Sequence, residues 1–375
     1  MRIQDFAIEM YMNEYEAGCR YNLAETCVSS LTVDELLTLC GRREEALAEL
    51  LSLRMTYGHI TGSPGFVRGI CGLYKTVKPE NVTTTHGAIG ANALVFSALV
   101  EPGDEVVSIF PAYQQLYSLP EALGAKVTTM PLNESNGFLP DVELLANLMN
   151  ERVKLVVINN PHNPSGAVMD AAYLQRIVDV VRPYGTYILC DEAYRGLTHT
   201  GQNLTESLAD MYEHGISTSS MSKALALAGL RIGWVAAPEA VIEKVNKHRD
   251  YTLISCGVAD DYLDSLALEH SGKIFARNIA IARANLDVLD AWVTREPHFS
   301  FVRPQGGTTA FIKLGFDMPS REFCLGLLED TGVMVVPGSA MGVEGYIRVG
   351  YAFEKDLLEK GLGIISAYVK EIVGS

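Results

Sequence analysis

The sequence predicts an α/β protein with a large domain built on a mostly parallel sheet, helices on both faces, and a smaller α+β domain. Three observations carry that expectation. Between residues 82 and 219, short β-branched or apolar runs alternate with helical patterns, as parallel strands do when covering helices join them. Beyond Arg249 the chain turns to long helices, and beyond Phe301 to strands interleaved with helices, which marks a change of architecture. At 375 residues and 48% hydrophobic content, the chain is long and apolar enough for a full core divided between a large and a small domain.

Taken in order, the strands and helices of the first region are Val82–Thr85 then Ala88–Leu99, Glu105–Phe110 then Tyr113–Leu123, Lys126–Met130, Leu155–Asn159 then Ala171–Val181, Tyr187–Cys190, and Ile216–Ser219. Turn residues separate them at Glu101-Pro102-Gly103-Asp104 and between Gly137 and Pro140. Helices are expected over Val258–His270 and Ile274–Trp292, the second long enough to connect two domains. In the tail, Phe301–Leu314, Val333–Val336 and Ile347–Tyr351 read as strands, and Arg321–Glu329 and Lys355–Val373 as helices. Residues 46–275 are therefore expected to form the large domain, and 1–45 with 276–375 the small one.

Composition excludes several classes of function. The formal net charge is −15 with no concentrated basic stretch, so the electrostatic footprint of a nucleic-acid or anionic-membrane binder is missing and a small-molecule partner is expected. The cysteines (Cys19, Cys27, Cys40, Cys71, Cys190, Cys256, Cys324) are odd in number and form no C-x-x-C pair. That argues against a disulfide framework or a zinc ribbon and for reduced, packed thiols; no metal site is expected. The opening MRIQDFAIEMYMNEYEAG carries acids where a signal peptide needs an apolar core, and no run approaches the length that spans a bilayer. A cytoplasmic location is the expectation.

Chemistry is concentrated at a few strand ends. In Ser217–Trp234 (STSSMSKALALAGLRIGW), Lys223 follows a strand and precedes a small, apolar stretch, where desolvation would lower its pKa and make it an imine-former. Ser220, three residues earlier, and Arg231, eight later, could hold a phosphate beside it. From this segment alone, a solvated lysine at a strand end reads equally well. Asn159–Gly166 (NNPHNPSG) and Leu189–Arg195 (LCDEAYR) also follow strands, and His86–Ala91 (HGAIGA) follows a strand and opens a helix whose N–H groups could bind an anion. Each has a plainer reading: Asn163-Pro164 as a turn, Asp191 as a strand-end carboxylate, Gly87 and Gly90 as packing glycines. Together they bring four strand ends to one anionic ligand, where open α/β sheets bind theirs.

With these segments in place, the sequence resembles the class I/II aminotransferases, the fold-type I pyridoxal 5′-phosphate (PLP) enzymes, over essentially its whole length. The family's S-x-S-K-x(5)-G-x-R-x-G matches Ser220–Gly233, its N-P-x-G matches Asn163–Gly166, and its D-E-x-Y matches Asp191–Tyr194. Pro337-Gly338-Ser339 and Tyr346–Gly350 look like its P-G-S and substrate-binding strand. The resemblance implies a mostly parallel seven-stranded sheet and assigns roles residue by residue. Lys223 would be the Schiff-base lysine and proton shuttle, working through a quinonoid intermediate. Asp191 would partner the pyridinium nitrogen, keeping it protonated so that the ring can act as an electron sink. Asn163 and Tyr194 would bond the cofactor's phenolic oxygen. Ser220, Ser222 and Arg231, with the amides of Gly87 and Ala88, would clamp the phosphate, and Tyr113 would stack on the ring, unless it is an ordinary core tyrosine. Tyr57, in a Y-x(4)-G match ending at Gly62, would reach the phosphate of a neighbouring subunit, which implies a homodimer with shared active sites. Arg348 would take the substrate α-carboxylate as a bidentate pair.

Where the family often has a glycine-containing stretch, this chain has Tyr21–Cys27 (YNLAETC). Glu25 there would either face the substrate, favouring a cationic or polar amino acid, or cap a turn. His86 is placed to touch the cofactor, whereas His162 reads as a loop residue. The segments TTTHG, NPHNPSG, RPQGGTTAF and VMVVPG are similar to the branch containing capreomycidine synthase, which cyclises a hydroxylated arginine. The expected activity is transfer of an amino group between an amino acid and a 2-oxo acid, with a PLP-dependent lyase or cyclase as the alternative. A ligand-sensing regulator built on such a domain needs an added DNA-binding domain, for which no room is expected before Tyr57 or after Val373.

Overall fold

Alternating strands and helices build the predicted seven-stranded sheet, seen in a computed structural model that describes residues 2–374. Among these residues the strands are β1 (Tyr21–Asn22), β2 (Val82–His86), β3 (Glu105–Phe110), β4 (Lys126–Pro131), β5 (Val153–Asn159), β6 (Tyr187–Asp191), β7 (Gly215–Ser220), β8 (Ile232–Ala236), β9 (Phe299–Phe301), β10 (Thr309–Leu314), β11 (Val333–Met334), β12 (Val336–Pro337) and β13 (Tyr346–Gly350). The large sheet has the order β2-β8-β7-β6-β5-β3-β4. β8 pairs antiparallel with both neighbours, β2 and β7, while the other pairs are parallel. Side chains of β5, β6 and β7 are buried along almost their whole length, as a sheet covered on both faces requires.

β8 and the two-residue β1 are the strands that sequence periodicity did not separate. The IGWVA run of β8 is buried throughout and continues the apolar stretch after Lys223, so neither a period of two nor a turn marks it off. Two other expectations need correction. Phe301–Leu314 is not one strand: β9 and β10 are parted by a loop holding Pro304, Gly306 and Gly307, the last with φ +75°, and such residues do not continue a ladder. Val333–Val336 divides as well, because β11 pairs with β1 and β12 with β13, so the chain passes from one sheet to another at Val335.

β12, β13, β10 and β9 form an antiparallel sheet, and β1 lies parallel to β11. The N-terminal segment is therefore tied to the C-terminal part of the chain by backbone hydrogen bonds. A 25-residue helix, Ser271–Arg295, carries buried residues from Ile274 and Phe275 to Trp292 and Val293. Nearer the N-terminus, Thr32 caps the helix Val33–Cys40 in a reciprocal box with Glu35, and Ser63 caps Pro64–Cys71, whose first residue needs no N–H partner. No helix among the described residues is long and apolar enough to cross a membrane. All seven cysteines are free; Cys40, Cys190, Cys256 and Cys324 are buried.

One close approach positions the site. Helix Gly87–Leu99 starts against β8, and a Cβ at Gly233 would lie 2.4 Å from the Gly87 carbonyl carbon and 2.7 Å from the Ala88 nitrogen. Only glycine lets the helix N-terminus come so near the strand. Gly233→Ala is expected to destabilise the protein by about 1–3 kcal/mol by overpacking, read as a lower urea midpoint.

Candidate active site

A cavity of about 450 Å3 opens at the carboxyl ends of β2, β5, β6 and β7. Gly87, Ala88, Tyr113, Asn163, Asp191, Tyr194, Ser220, Ser222, Lys223, Arg231, Arg348 and Glu25 all line it, although they come from segments spread over more than three hundred residues. Tyr57 does not line it; it is 77% exposed. His86 is also exposed and outside the cavity wall.

Asp191 ends β6 and is buried. Its Oδ2 accepts a hydrogen bond from Asn92 Nδ2 at 2.8 Å, and its Oδ1 one from the Ala193 amide at 3.0 Å. Burial raises its pKa, against the opposing pull of Asn92, Ala193 and Lys223. Asn92 is a residue that sequence reasoning missed. Its Nδ2 also donates to Gln115 Oε1 at 3.3 Å, and its Oδ1 accepts from Thr218 Oγ1 at 2.5 Å. The signal was available: an asparagine inside the apolar helix GAIGANALVFSAL is a buried polar group that must find partners.

At the other end of the cavity the groups suit an anion. Gly87 and Ala88 open a 13-residue helix, so their N–H groups and the helix dipole face the cavity. Arg231 lies close above them: a Cβ on Gly87 would sit 3.3 Å from its Nη2. Arg231 and Ala226 both adopt left-handed backbone at φ 58°, a conformation costing roughly 1–2 kcal/mol for a residue with a side chain. That strain shapes the loop from β7 to β8, and Arg231 Nη1 donates to the Ala228 carbonyl at 2.9 Å within it. Ser220 and Ser222 line the same region, the Ser222 amide donating to Ser220 Oγ at 3.3 Å.

Lys223 lies between these two ends. Its Nζ donates to Thr26 Oγ1 at 2.5 Å and to Cys27 Sγ at 3.3 Å. Desolvation pulls its pKa down, as expected, but Tyr194, Cys27 and Glu25 outweigh that pull and the net direction is up. Of the three, Glu25 is the anion at neutral pH. Despite burial, amides of Cys27 and Thr26 and the Lys223 charge hold its carboxyl below the usual range. Its Oε1 accepts from the Thr26 and Cys27 amides at 2.6 and 2.7 Å, so Glu25 caps a turn while also lining the cavity.

Arg348, on β13, is 3% exposed. Nη2 donates to the Ala24 carbonyl at 3.1 Å and Nη1 approaches Asn163 Oδ1 at 3.5 Å, while Nε has no partner among the described residues. No carboxylate lies within ion-pair distance of it among those residues, although Glu9 and Glu25 act on it from farther away. Burying a guanidinium without a counter-ion is unfavourable, and an incoming carboxylate would relieve it. Asn163 is held by its amide, which donates to Asn159 Oδ1 at 2.7 Å, and Asn159 Nδ2 donates to the Asp191 carbonyl at 2.8 Å. His162 is, as read, a loop residue: buried between Ser165 Oγ and the Pro111 carbonyl, with burial pushing its pKa down to about 4.

The remaining wall comes from the helix Ala7–Tyr15 and the turn after it, which the sequence reading left unassigned. Ile8, Glu9, Met12, Asn13 and Glu16 face the cavity at helical spacing. Glu9 Oε1 accepts from the Tyr113 hydroxyl at 2.8 Å, and the Tyr113 ring packs on Phe6 at 4.8 Å.

An anion cradle, a buried carboxylate and a lysine amine at the strand ends of such a sheet, faced by an unpaired buried guanidinium on β13, define a PLP-dependent enzyme of fold type I. The donor set fits the cofactor: cations and amides for a phosphate, a carboxylate for a ring nitrogen, an amine for an aldehyde. Residues 30–365 match the aminotransferase class I and II family, and the chain belongs to it. Over 286 residues it is 36% identical to capreomycidine synthase of Streptomyces vinaceus, covering 76% of this chain and 73% of that one. It superposes on a PLP-dependent aminotransferase from Streptococcus suis with a TM-score of 0.96 at 42% identity, covering 99% of both chains. The PLP-dependent cyclase OrfR gives a TM-score of 0.91 at 26% identity, covering 99% of this chain and 98% of that one.

Replacing Asn92 by leucine should leave one oxygen of the buried Asp191 carboxylate unpartnered. PLP affinity is then expected to fall about tenfold, one charge-assisted hydrogen bond's worth, in a fluorescence titration of the cofactor-free protein.

Proposed function

We propose that the protein is an aminotransferase that moves an amino group between an amino acid and a 2-oxo acid. The observation that carries this reading is Arg348, a buried guanidinium with an unpartnered Nε, on the same cavity as Lys223. PLP bound there supplies an aldehyde carbon for amine exchange and an electron-withdrawing ring. The chain supplies the rest. Gly87, Ala88, Ser220, Ser222 and Arg231 would hold the phosphate end, Asp191 would keep the ring nitrogen protonated, and Asn163 and Tyr194 would bond the phenolic oxygen. Tyr113 would cover one face of the ring.

Arg348 fixes the substrate carboxylate and thereby which bond at the α-carbon stands perpendicular to the ring. Lys223 then takes the α-proton and returns it at the neighbouring carbon, a general acid–base role of the kind worth about 10^2–10^4-fold in rate. Glu9, Glu16 and Glu25 give the substrate side of the cavity an acidic character, which favours amino acids with a cationic or polar side chain.

The family's shared-site arrangement supports a homodimer in which Tyr57 serves the partner's phosphate site. Leu51, Met55, Tyr57 and Ile60 are each more than half exposed within one short stretch, as an apolar surface awaiting a second copy would be. A second reading, a PLP-dependent lyase or cyclase, is favoured by the likeness to capreomycidine synthase and OrfR. The cofactor machinery is common to both, and the cavity wall decides the outcome.

Borohydride reduction of the yellow holoenzyme should fix the cofactor covalently on the peptide containing Lys223, and Lys223→Ala should abolish that adduct. A spectroscopic screen of amino acids then separates the readings. Conversion to the pyridoxamine form supports transamination; release of ammonia or pyruvate, or a cyclised product, without an oxo-acid acceptor supports the second reading. Arg348→Lys is expected to raise the amino-acid KM about thirtyfold, near 2 kcal/mol, because a point charge does not replace a bidentate fork.

A further inference from the structure

Thr26 and Cys27 have no part in the functional reading above, yet they are the residues that hold the Lys223 amine. Nζ donates to Thr26 Oγ1 at 2.5 Å and to Cys27 Sγ at 3.3 Å. A lysine is a long, mobile side chain, and its amine would otherwise range over much of the cavity. Here it is brought to one place by a turn that is itself fixed from several directions. Glu25 Oε1 accepts from the amides of both residues, Thr308 Oγ1 donates to the Thr26 carbonyl at 2.7 Å, and the Gly350 amide donates to the Leu23 carbonyl at 2.8 Å. Backbone also packs tightly there: a Cβ on Gly350 would fall 1.8 Å from the Glu25 carbonyl oxygen. A seat so heavily fastened is a built feature of the site.

The lysine has two situations in the proposed reaction. In one its nitrogen is bonded to the cofactor; in the other an incoming amine has displaced it, and it stands free while it moves the proton. We propose that Thr26, with Cys27 beside it, is the seat of the Lys223 amine in the second situation, and so a positioning residue for the proton transfer. This rests on the functional reading given above.

The hydroxyl suits the task. As a hydrogen-bond acceptor it takes one N–H of the neutral amine, which turns the nitrogen lone pair toward the cavity. It remains an acceptor when the nitrogen carries the extra proton as an ammonium. The proton taken from the substrate α-carbon becomes the third N–H, is given up at the adjacent carbon, and leaves the amine as it began. Glu25 adds a fixed negative charge behind the turn, which stabilises the transient ammonium.

The same turn connects this seat to the carboxylate site. Arg348 Nη2 donates to the Ala24 carbonyl at 3.1 Å, two residues before Thr26. Substrate carboxylate and released lysine are thus referred to one rigid piece of backbone, which fixes the distance between the α-carbon and the base.

Aminooxyacetate tests the proposal without knowledge of the substrate, because an aminooxy group takes the cofactor's aldehyde carbon from any such lysine and sets the lysine amine free. Spectral titration of the holoenzyme with aminooxyacetate should show Thr26→Val binding it about tenfold more weakly than wild type, with Thr26→Ser restored to within about threefold. Loss of the seat weakens aminooxyacetate and spares PLP affinity, whereas general loosening of the turn would weaken both. The proposal is overturned if Thr26→Val titrates like wild type, if Thr26→Ser is as weak as Thr26→Val, or if PLP affinity falls in parallel. Should Thr26→Val not fold, Thr26→Ala enters the same titration with the same outcomes. A wild-type protein that bound PLP without borohydride capture on Lys223 would instead overturn the functional reading, and the seat with it.

Discussion

The arrangement of the site depends on the burial of one carboxylate. Asp191 ends the central strand β6 where little water reaches it, and a buried charge must be matched by donors close at hand. Asn92 supplies one, and to do so the helix Gly87–Leu99 must present that residue to the strand end. The helix start, with the amides of Gly87 and Ala88, is placed by the same contact. Thr218 on β7 fixes the far side of Asn92, and Asn159 on β5 holds the Asp191 carbonyl. Four elements are thus registered on one residue.

A second constraint acts from the opposite side. The turn Ala24–Cys27 joins the N-terminal segment to β13 and to the lysine, so cofactor-facing and substrate-facing halves meet across a cavity rather than within one element. Backbone pairing of β1 with β11 fastens that turn to the C-terminal part of the chain. Strained backbone at Ala226 and Arg231 then fits the loop carrying the lysine into the space that remains.

Most of this was legible in the sequence where a local signal existed. Strand ends followed by Asn163-Pro164, Asp191-Glu192 or Ser220-Met221-Ser222-Lys223 announce themselves, because turn residues and reactive side chains stand beside apolar runs. Other parts were legible only in three dimensions. β8 is hidden by the apolar stretch it continues, and the division of residues 301–314 depends on a loop whose Gln305 and Gly306 amides bond the Gly166 carbonyl far away in sequence. Lys223 was expected to be acidified by burial; the groups that reverse the direction are Tyr194 and, almost two hundred residues upstream, Cys27 and Glu25. Nothing local in the sequence of the helix Ala7–Tyr15 marks the wall it faces.

That helix carries Ile8, Glu9, Met12 and Asn13 to the cavity but none of the groups suited to the phosphate, the ring nitrogen or the lysine. Part of the cavity wall thus sits on a segment held by Tyr113 and Gln114 and by its own buried Ile8 and Tyr11, apart from the groups at the ends of the large sheet. Exchange of one short peptide could retarget such a scaffold to new amines while the electronic apparatus stays untouched. Divergence in selectivity would then fall on that helix, and Ile8, Glu9, Met12 and Asn13 would be the natural positions to randomise when a different selectivity is wanted.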